Sequence, residues 1–487
     1  MNTLDLIITF DTEDVLNPAE AGRDGVIKAL ADILSDEGVP ANFLFIARRA
    51  ALLKQRGRED VIAAVKRHSV GVHTLSHEQP VAAVRAAQLD WAAGLEVCRQ
   101  MEGAAFRMIA EAFDCQPVCL SAHHYFAAPQ SYVVARELGL PFVYGYSVAP
   151  PLYSVSRCYG ALNFPWLSPL IDSENPSPAY FDGFDDVLSD DPAFVAHLER
   201  FARHIDGCLS AGQPVLVLHP CHPVKTYTLD WIDYYITPNG VNIPPEEWPA
   251  RPGPGLRTPA QMELALRNFR RLAQYIRGHS QLNVLSLPEA TAKYGRLPAE
   301  IGRLDLLAAA QRVCALDEVA IEDRYSPAEV IMGFAEALLT FAREGHLPES
   351  LPRSEVLGPL EDPVIIPEER GKLGWQIVLD LAAELEAAAE AAGYLPANLP
   401  LASGARVGLG SIHRALAEAY LMTCQAGHPP EAVRLMPFDR QPKIGPAIGR
   451  RYAEIVESPL VTPNLNADRL YRMSKLQTWT LAPAWHV

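Results

Sequence analysis

The chain has 487 residues, too many for one ordinary domain, and its 49% hydrophobic and 21% charged content is that of a soluble globular protein with large cores. A net charge of −16 argues against binding nucleic acid or an anionic membrane surface. No stretch reaches the roughly 18 uninterrupted apolar residues of a membrane span.

The first apolar run, LDLIITF (4–10), is interrupted by Asp5 and has no basic segment before it, so no secretory leader is expected. The eight cysteines (98, 115, 119, 158, 208, 221, 314, 424) follow no framework spacing, which points to reduced thiols and a cytoplasmic location. Beyond that first strand, GVIKALADILSDEGV (25–39) repeats its apolar residues at helical spacing. ANFLFIA (41–47) reads as a strand, 58–67 as a helix, and SVGVHTL (69–75) as a strand. One long helical stretch, 84–113, precedes PVCLSA (117–122), and SYVVARELGL (131–140) leads into PFVYGYSV (141–148). FVAHLERFARHIDGCLSAG (194–212) precedes QPVLVLHP (213–220), and ALRNFRRLAQYIRGH (265–279) precedes LNVLSL (282–287). Repeated strand-then-helix order implies an α/β fold with a parallel sheet covered by helices, either a barrel or a doubly wound sheet. Residues 223–260, rich in proline and aromatics, break the rhythm and read as a long functional loop.

From about residue 303 the composition turns to Ala-, Leu- and Glu-rich helices, so the chain divides into an α/β domain over 1–299 and a mainly α-helical domain over 300–487. FAREGHLPESL (341–351), EAAAEAAGYLPANL (386–399) and MTCQAGHPPEAV (422–433) share a helix end, a glycine and, three residues on, a proline. Glycine stops a helix through a left-handed residue and the proline keeps it from resuming. The pattern reads either as three ordinary helix stops or as a degenerate repeat, with a slight resemblance to the cell-wall-binding repeats of pseudomurein-binding proteins.

Three polar clusters follow apolar strands. TFDTED (9–14) packs Asp11, Glu13 and Asp14 together, which suits either a solvated loop or a cation. HTLSH sets His73 and His77 four apart, a spacing at which two imidazoles can face one point. LHPCHP places His219 and His222 behind VLVL. Parallel α/β folds build their sites beyond the carboxyl ends of strands, so all three clusters belong on one face. Two histidines and a carboxylate with an open position form a hydrolytic zinc-type ligand set, which a further carboxylate and a separate histidine complete as base and acid.

The ordered motifs TFD-x-E, VPANFLFIA, GVHTLSH and LVLHP, spread over residues 4 to about 296, resemble the polysaccharide deacetylase family (NodB homology, carbohydrate esterase family 4). The resemblance implies an irregular (β/α) barrel of that type and a divalent-metal hydrolase removing N- or O-acetyl groups from a carbohydrate. By position, Asp11 matches the general base, His219 the catalytic acid, and His73 and His77 the metal ligands. Because Thr12 stands where the common form has a metal-binding Asp, Glu13 becomes the ligand, with Asp14 as the alternative. The ion is expected to be zinc, with cobalt, iron or nickel as alternatives. The family's third motif carries an arginine that LSAHHYF (120–126) lacks, leaving His123, His124 and Tyr125 as candidate substrate contacts. Trp166 is the candidate for the fourth motif. Alternative readings are an allantoinase-like carbon–nitrogen hydrolase of a small cytosolic amide and a catalytically degenerate glycan-binding protein.

Overall fold

The computed structural model describes residues 3–12, 22–75, 81–121, 128–144, 155–163, 180–219, 257–316, 318–319, 324–360, 370–438, 442 and 466–484. Its first ten strands are β1 (Leu4–Thr12), β2 (Asn42–Phe45), β3 (Ser69–Val72), β4 (Cys119–Ser121), β5 (Phe142–Tyr144), β6 (Ser156–Cys158), β7 (Ala161–Asn163), β8 (Tyr180–Asp182), β9 (Val215–His219) and β10 (Leu282–Leu285). The chain forms two compact units, one of Met1–Ser147, Ala161–Gly295 and Gly449–Ala467, the other of Val148–Gly160, Arg296–Ile448 and Asp468–Val487.

In the first unit the strand order is β7-β5-β4-β3-β2-β1-β9-β8, with β10 beside β1. The paired neighbours run parallel, and helices connect them, so this is the α/β barrel-type arrangement, curled into a half-barrel. All nine residues of β1 are buried. That explains its nearly unbroken apolar sequence, because a central parallel strand is covered on both faces. The expected helix over 84–113 is two helices, Ala82–Ala86 and Trp91–Phe113. Asp90 separates them: its carboxylate accepts the Ala93 N–H at 2.8 Å and caps the second helix. Three-residue strands such as β7 and β8 are too short to carry a periodic signal.

The second unit is mainly helical, with helices Arg303–Leu316, Pro327–Glu344, Trp375–Ala392 and Leu409–Ala426. Short strands that follow the helix stops tie them together. β11 (Glu300–Gly302) pairs antiparallel with β12 (Ser350–Pro352), closing the first two helices into a hairpin. β13 (Gly371–Gly374) pairs with β16 (Ala432–Leu435) around the second two, whose inner ends carry β14 (Asn398–Pro400) and β15 (Arg406–Gly408), also paired. Gly345, Gly393 and Gly427 close three of these helices at φ 76°, 73° and 72°. Each gives its N–H to the carbonyl four residues back, as a left-handed cap requires. β6 pairs with β17 (Ala482–Pro483) in this unit.

Candidate active site

The alternation of side chains along a strand decides which residues of the first unit share a face. Asp11 lies opposite Leu44, and Leu44 opposite Gly71. His73, two residues past Gly71, therefore points to the same side as Asp11. Val72 pairs with Leu120, so Ser121 falls beside His73. Ile8 pairs with Leu218, which sets Thr9 beside His219. Asp182 pairs with His219 from the other side. These positions lie at or just beyond the carboxyl ends of β1, β3, β4, β8 and β9, where parallel α/β folds place their chemistry.

The side chains converge as the register requires. His219 Nε2 stands 3.3 Å from Asp11 Oδ2, and His73 Nδ1 stands 3.7 Å from Asp11 Oδ1. Thr9 Oγ1 hydrogen-bonds His219 Nδ1 at 2.8 Å, and Ser121 Oγ hydrogen-bonds His73 Nδ1 at 3.0 Å. All five residues are buried, none more than 4% exposed. Tyr180 lays its ring 6.0 Å from that of His219. The hydrogen bond from Thr9 fixes the His219 ring with its Nε2 edge turned towards Asp11.

Close approach beneath the site depends on Gly71. A Cβ there would run into Cys119 Sγ and Leu44 Cδ2. Burial, with the Asp11 carboxylate adding to it, holds the Cys119 thiol well above its ordinary range. Thr74, next to His73, sits at φ 65°, a conformation uncommon for a β-branched residue. Its carbonyl accepts the Ala47 N–H at 3.1 Å, so the strained turn that follows His73 also ties down the start of the helix after β2. A buried arginine does lie in that helix: Arg49 pairs with Asp24, which Arg56 also reaches at 3.1 Å.

Glu102, on the helix Trp91–Phe113, is buried, and its Oε2 accepts no hydrogen bond. Burial pushes its carboxyl up to about 7, and the charge of His73 works in the opposite direction. Neither Glu102 nor the hydrogen-bonding Thr9 and Ser121 stood out in the sequence. Thr9 and Ser121 could have been found by stepping two residues from Asp11 along β1 and by marking the last inward position of β4. Glu102 could have been found as the one acid within a helical apolar stripe.

Of the expected site residues, Asp11, His73 and His219 are brought together; Glu13, Asp14, His77, His123, His124, Tyr125 and Trp166 lie outside the described residues. Among the described residues no group of three or more His, Cys, Asp or Glu is arranged to hold a metal ion. The part that is described nonetheless fits a cation in charge. Asp11 is a buried carboxylate with one oxygen 3.7 Å from His73 and the other 3.3 Å from His219, a donor set a divalent cation can share.

No protein-family model matches the chain, and no curated protein matches it. Solved structures do resemble it in fold. A 4-alpha-glucanotransferase from Thermococcus litoralis is 11% identical, with 60% of this chain aligned to 41% of that one at a TM-score of 0.39, so the chain spans less than half of that protein's length. A protein assigned as a polysaccharide deacetylase in Mycobacterium smegmatis is 15% identical over 60% of this chain and 90% of that one, with a TM-score of 0.36. The PuuE allantoinase is 12% identical over 60% and 92%, with a TM-score of 0.37.

Proposed function

We propose that the chain is a divergent hydrolase of the polysaccharide deacetylase type, removing an N- or O-linked acetyl group from a carbohydrate-containing substrate with one divalent cation, zinc first among the candidates. The observation that carries this reading is the Asp11 carboxylate, with one oxygen facing His219 at 3.3 Å and the other facing His73 at 3.7 Å. His73 would help hold the cation, together with Glu13 (or Asp14) and His77. Such a cation supplies a Lewis acid that polarises the acetyl carbonyl and makes water a better nucleophile near neutral pH.

The residues of this chain account for the proton movements. Asp11 takes the proton that water loses as its oxygen bonds to the acetyl carbon. His219, protonated on both ring nitrogens at this stage, gives its Nε2 proton to the departing nitrogen or oxygen as the bond to the acetyl group breaks. Acetate and the deacetylated sugar leave, with Asp11 protonated and His219 neutral. The proton on Asp11 then returns to His219, whose Nε2 stands 3.3 Å from Oδ2, and resets the pair. Thr9 holds the His219 ring in the orientation this exchange needs.

Purified protein stripped with a chelator and reloaded with zinc is expected to release acetate from N-acetylglucosamine oligomers or O-acetylated glycans. Release should vanish on stripping. A protein that binds no divalent ion and releases no acetate from any acetylated sugar sinks this reading and leaves glycan binding. The missing arginine in LSAHHYF favours a second reading, in which a small cytosolic amide replaces the usual polymer. Cleavage of such an amide without acetate release from sugars would select it.

A further inference from the structure

The helix Ala47–Gln55 begins where two strands of the site end, and the first N–H groups of its opening turn are spent on them. Ile46 N–H donates to the carbonyl of Thr12, the residue after Asp11, at 3.2 Å. Ala47 N–H donates to the carbonyl of Thr74, the residue after His73, at 3.1 Å, and Arg48 N–H to that of Leu75 at 3.2 Å. His73 N–H in turn reaches the Phe45 carbonyl at 2.7 Å. A slide of this one turn therefore shifts the strand ends that carry Asp11 and His73. The helix has little apolar bulk to resist a slide, since its buried residues are Ala47, Ala50, Leu53 and Arg49. Arg49 is fully buried and pairs with Asp24, in the first turn of the helix Arg23–Asp36. Arg56 reaches both oxygens of Asp24, at 3.2 and 3.1 Å, and Arg58 stands 3.6 Å away.

We propose that the buried Asp24–Arg49 pair is a positioning device for the reaction, fastening the turn on which the placement of Asp11 and His73 depends. The inference rests on the hydrolase reading above, because it needs those two residues to act on one substrate. Burying an ion pair costs more desolvation than packing two apolar residues of similar volume, so stability alone does not account for it. What the pair adds is direction. A planar guanidinium donates along fixed lines to a carboxylate, whereas alanine and leucine contacts tolerate sliding. Arg56, which caps the far end of the same helix, and Arg58 beyond it hold the carboxylate as well, so the helix is tied to one acid from both of its ends. Arg58 is itself fixed by two hydrogen bonds to Asp60, at 2.8 and 2.9 Å. Asp24 in turn sits in the first turn of its helix, where the helix dipole favours a negative charge.

Steady-state acetate release and urea unfolding midpoints test this on wild type, Arg49→Met, Arg49→Lys and the double variant Asp24→Leu with Arg49→Met. The double variant should unfold at the wild-type midpoint or above it, because two buried charges are gone. Its kcat should nevertheless fall roughly 10- to 100-fold, with KM within about twofold, since a small misplacement of reacting groups is felt in the chemical step. Arg49→Lys, which keeps a cation on Asp24, should recover most of that loss. Amide hydrogen exchange reads the same turn without turnover: the Ala47 and Arg48 N–H groups should exchange faster in the double variant at unchanged global stability. If the double variant does not fold, Arg49→Met alone, in which Arg56 and Arg58 still cover Asp24, gives the same comparison. Wild-type kcat or wild-type exchange in the folded variant overturns the inference and leaves the hydrolase reading intact. A wild-type chain that releases no acetate overturns both.

Discussion

At the carboxyl ends of the barrel strands, Asp11, His73 and His219 are buried within 4 Å of one another through the Asp11 carboxylate. In the helical unit, His413 is also fully buried, yet among the described residues its two ring nitrogens have no hydrogen-bond partner. Its neighbours are aromatic: Phe334 stacks at 5.9 Å between centroids, and Trp479 meets it edge-on at 5.6 Å. Burial, helped by the charge of Arg414, pushes the His413 imidazole down to about 3, so near neutral pH it is an uncharged aromatic plate. Burial alone therefore does not mark a functional histidine. What separates the two regions is convergence: the barrel gathers acids and imidazoles at strand ends, whereas the helical unit isolates its histidine among rings.

The largest effect expected from this contrast is catalytic. His219→Gln removes the proton donor and should lower kcat/KM for acetate release by roughly 10²- to 10⁴-fold. His413→Leu should leave kcat/KM within about twofold. Steady-state kinetics on the two variants decides the matter, and comparable losses in both would erase the distinction drawn here.

The next effect is on stability and runs with acid. An imidazole whose folded pKa is about 3, against 6.5 when unfolded, is neutral in the native state and takes up a proton on unfolding. Its contribution is complete above pH 6.5 and is lost progressively as pH falls towards 3. At pH 4 the loss comes to about 3 kcal/mol. Urea unfolding at pH 7 and pH 4 should show wild type falling more steeply than His413→Leu. Parallel falls would mean that His413 finds a partner on protonation.

A smaller effect belongs to Thr9. Thr9→Val preserves shape but removes the hydroxyl from His219 Nδ1, costing about 1–3 kcal/mol of transition-state stabilisation. Activity should fall roughly tenfold to a hundredfold, and Thr9→Ser should restore most of it. A pH–rate profile distinguishes a tautomer effect, which moves the acidic or basic limb, from a packing defect, which moves neither.

Legibility in the sequence follows the same divide. The parallel strands announced themselves because a strand covered on both faces must be almost wholly apolar, as β1 is. Asp11, His73 and His219 stood out because each follows such a strand. Thr9 and Ser121 did not, since a hydroxyl inside an apolar strand is unremarked until register gives it a histidine for a neighbour. Glu102 was hidden in a helix whose other acids and bases are ordinary surface charges. In the helical unit, strands of three or four residues carry no period of their own, and only their pairing turns helix stops into closed hairpins.

Glycines offer the finest test of the comparison, because the two units use them for different physical reasons. At Gly71 the backbone conformation suits any residue, but an added methyl collides with Cys119 Sγ and Leu44 Cδ2. Gly71→Ala should therefore cost about 1–3 kcal/mol through overpacking. At Gly393 a Cβ meets nothing within 4 Å, and the obstacle is a φ of 73°. Gly393→Ala should cost about 1 kcal/mol, from the left-handed backbone alone. The origins separate in a double-mutant cycle. Cys119→Ala removes the colliding sulfur, so Gly71→Ala should be milder in that background, with a coupling of about 0.5–3 kcal/mol. The same Cys119→Ala change should leave the cost of Gly393→Ala unaltered. Coupling at Gly393, or none at Gly71, would show that the strand-end packing and the helix cap are not the separate constraints that the structure makes them.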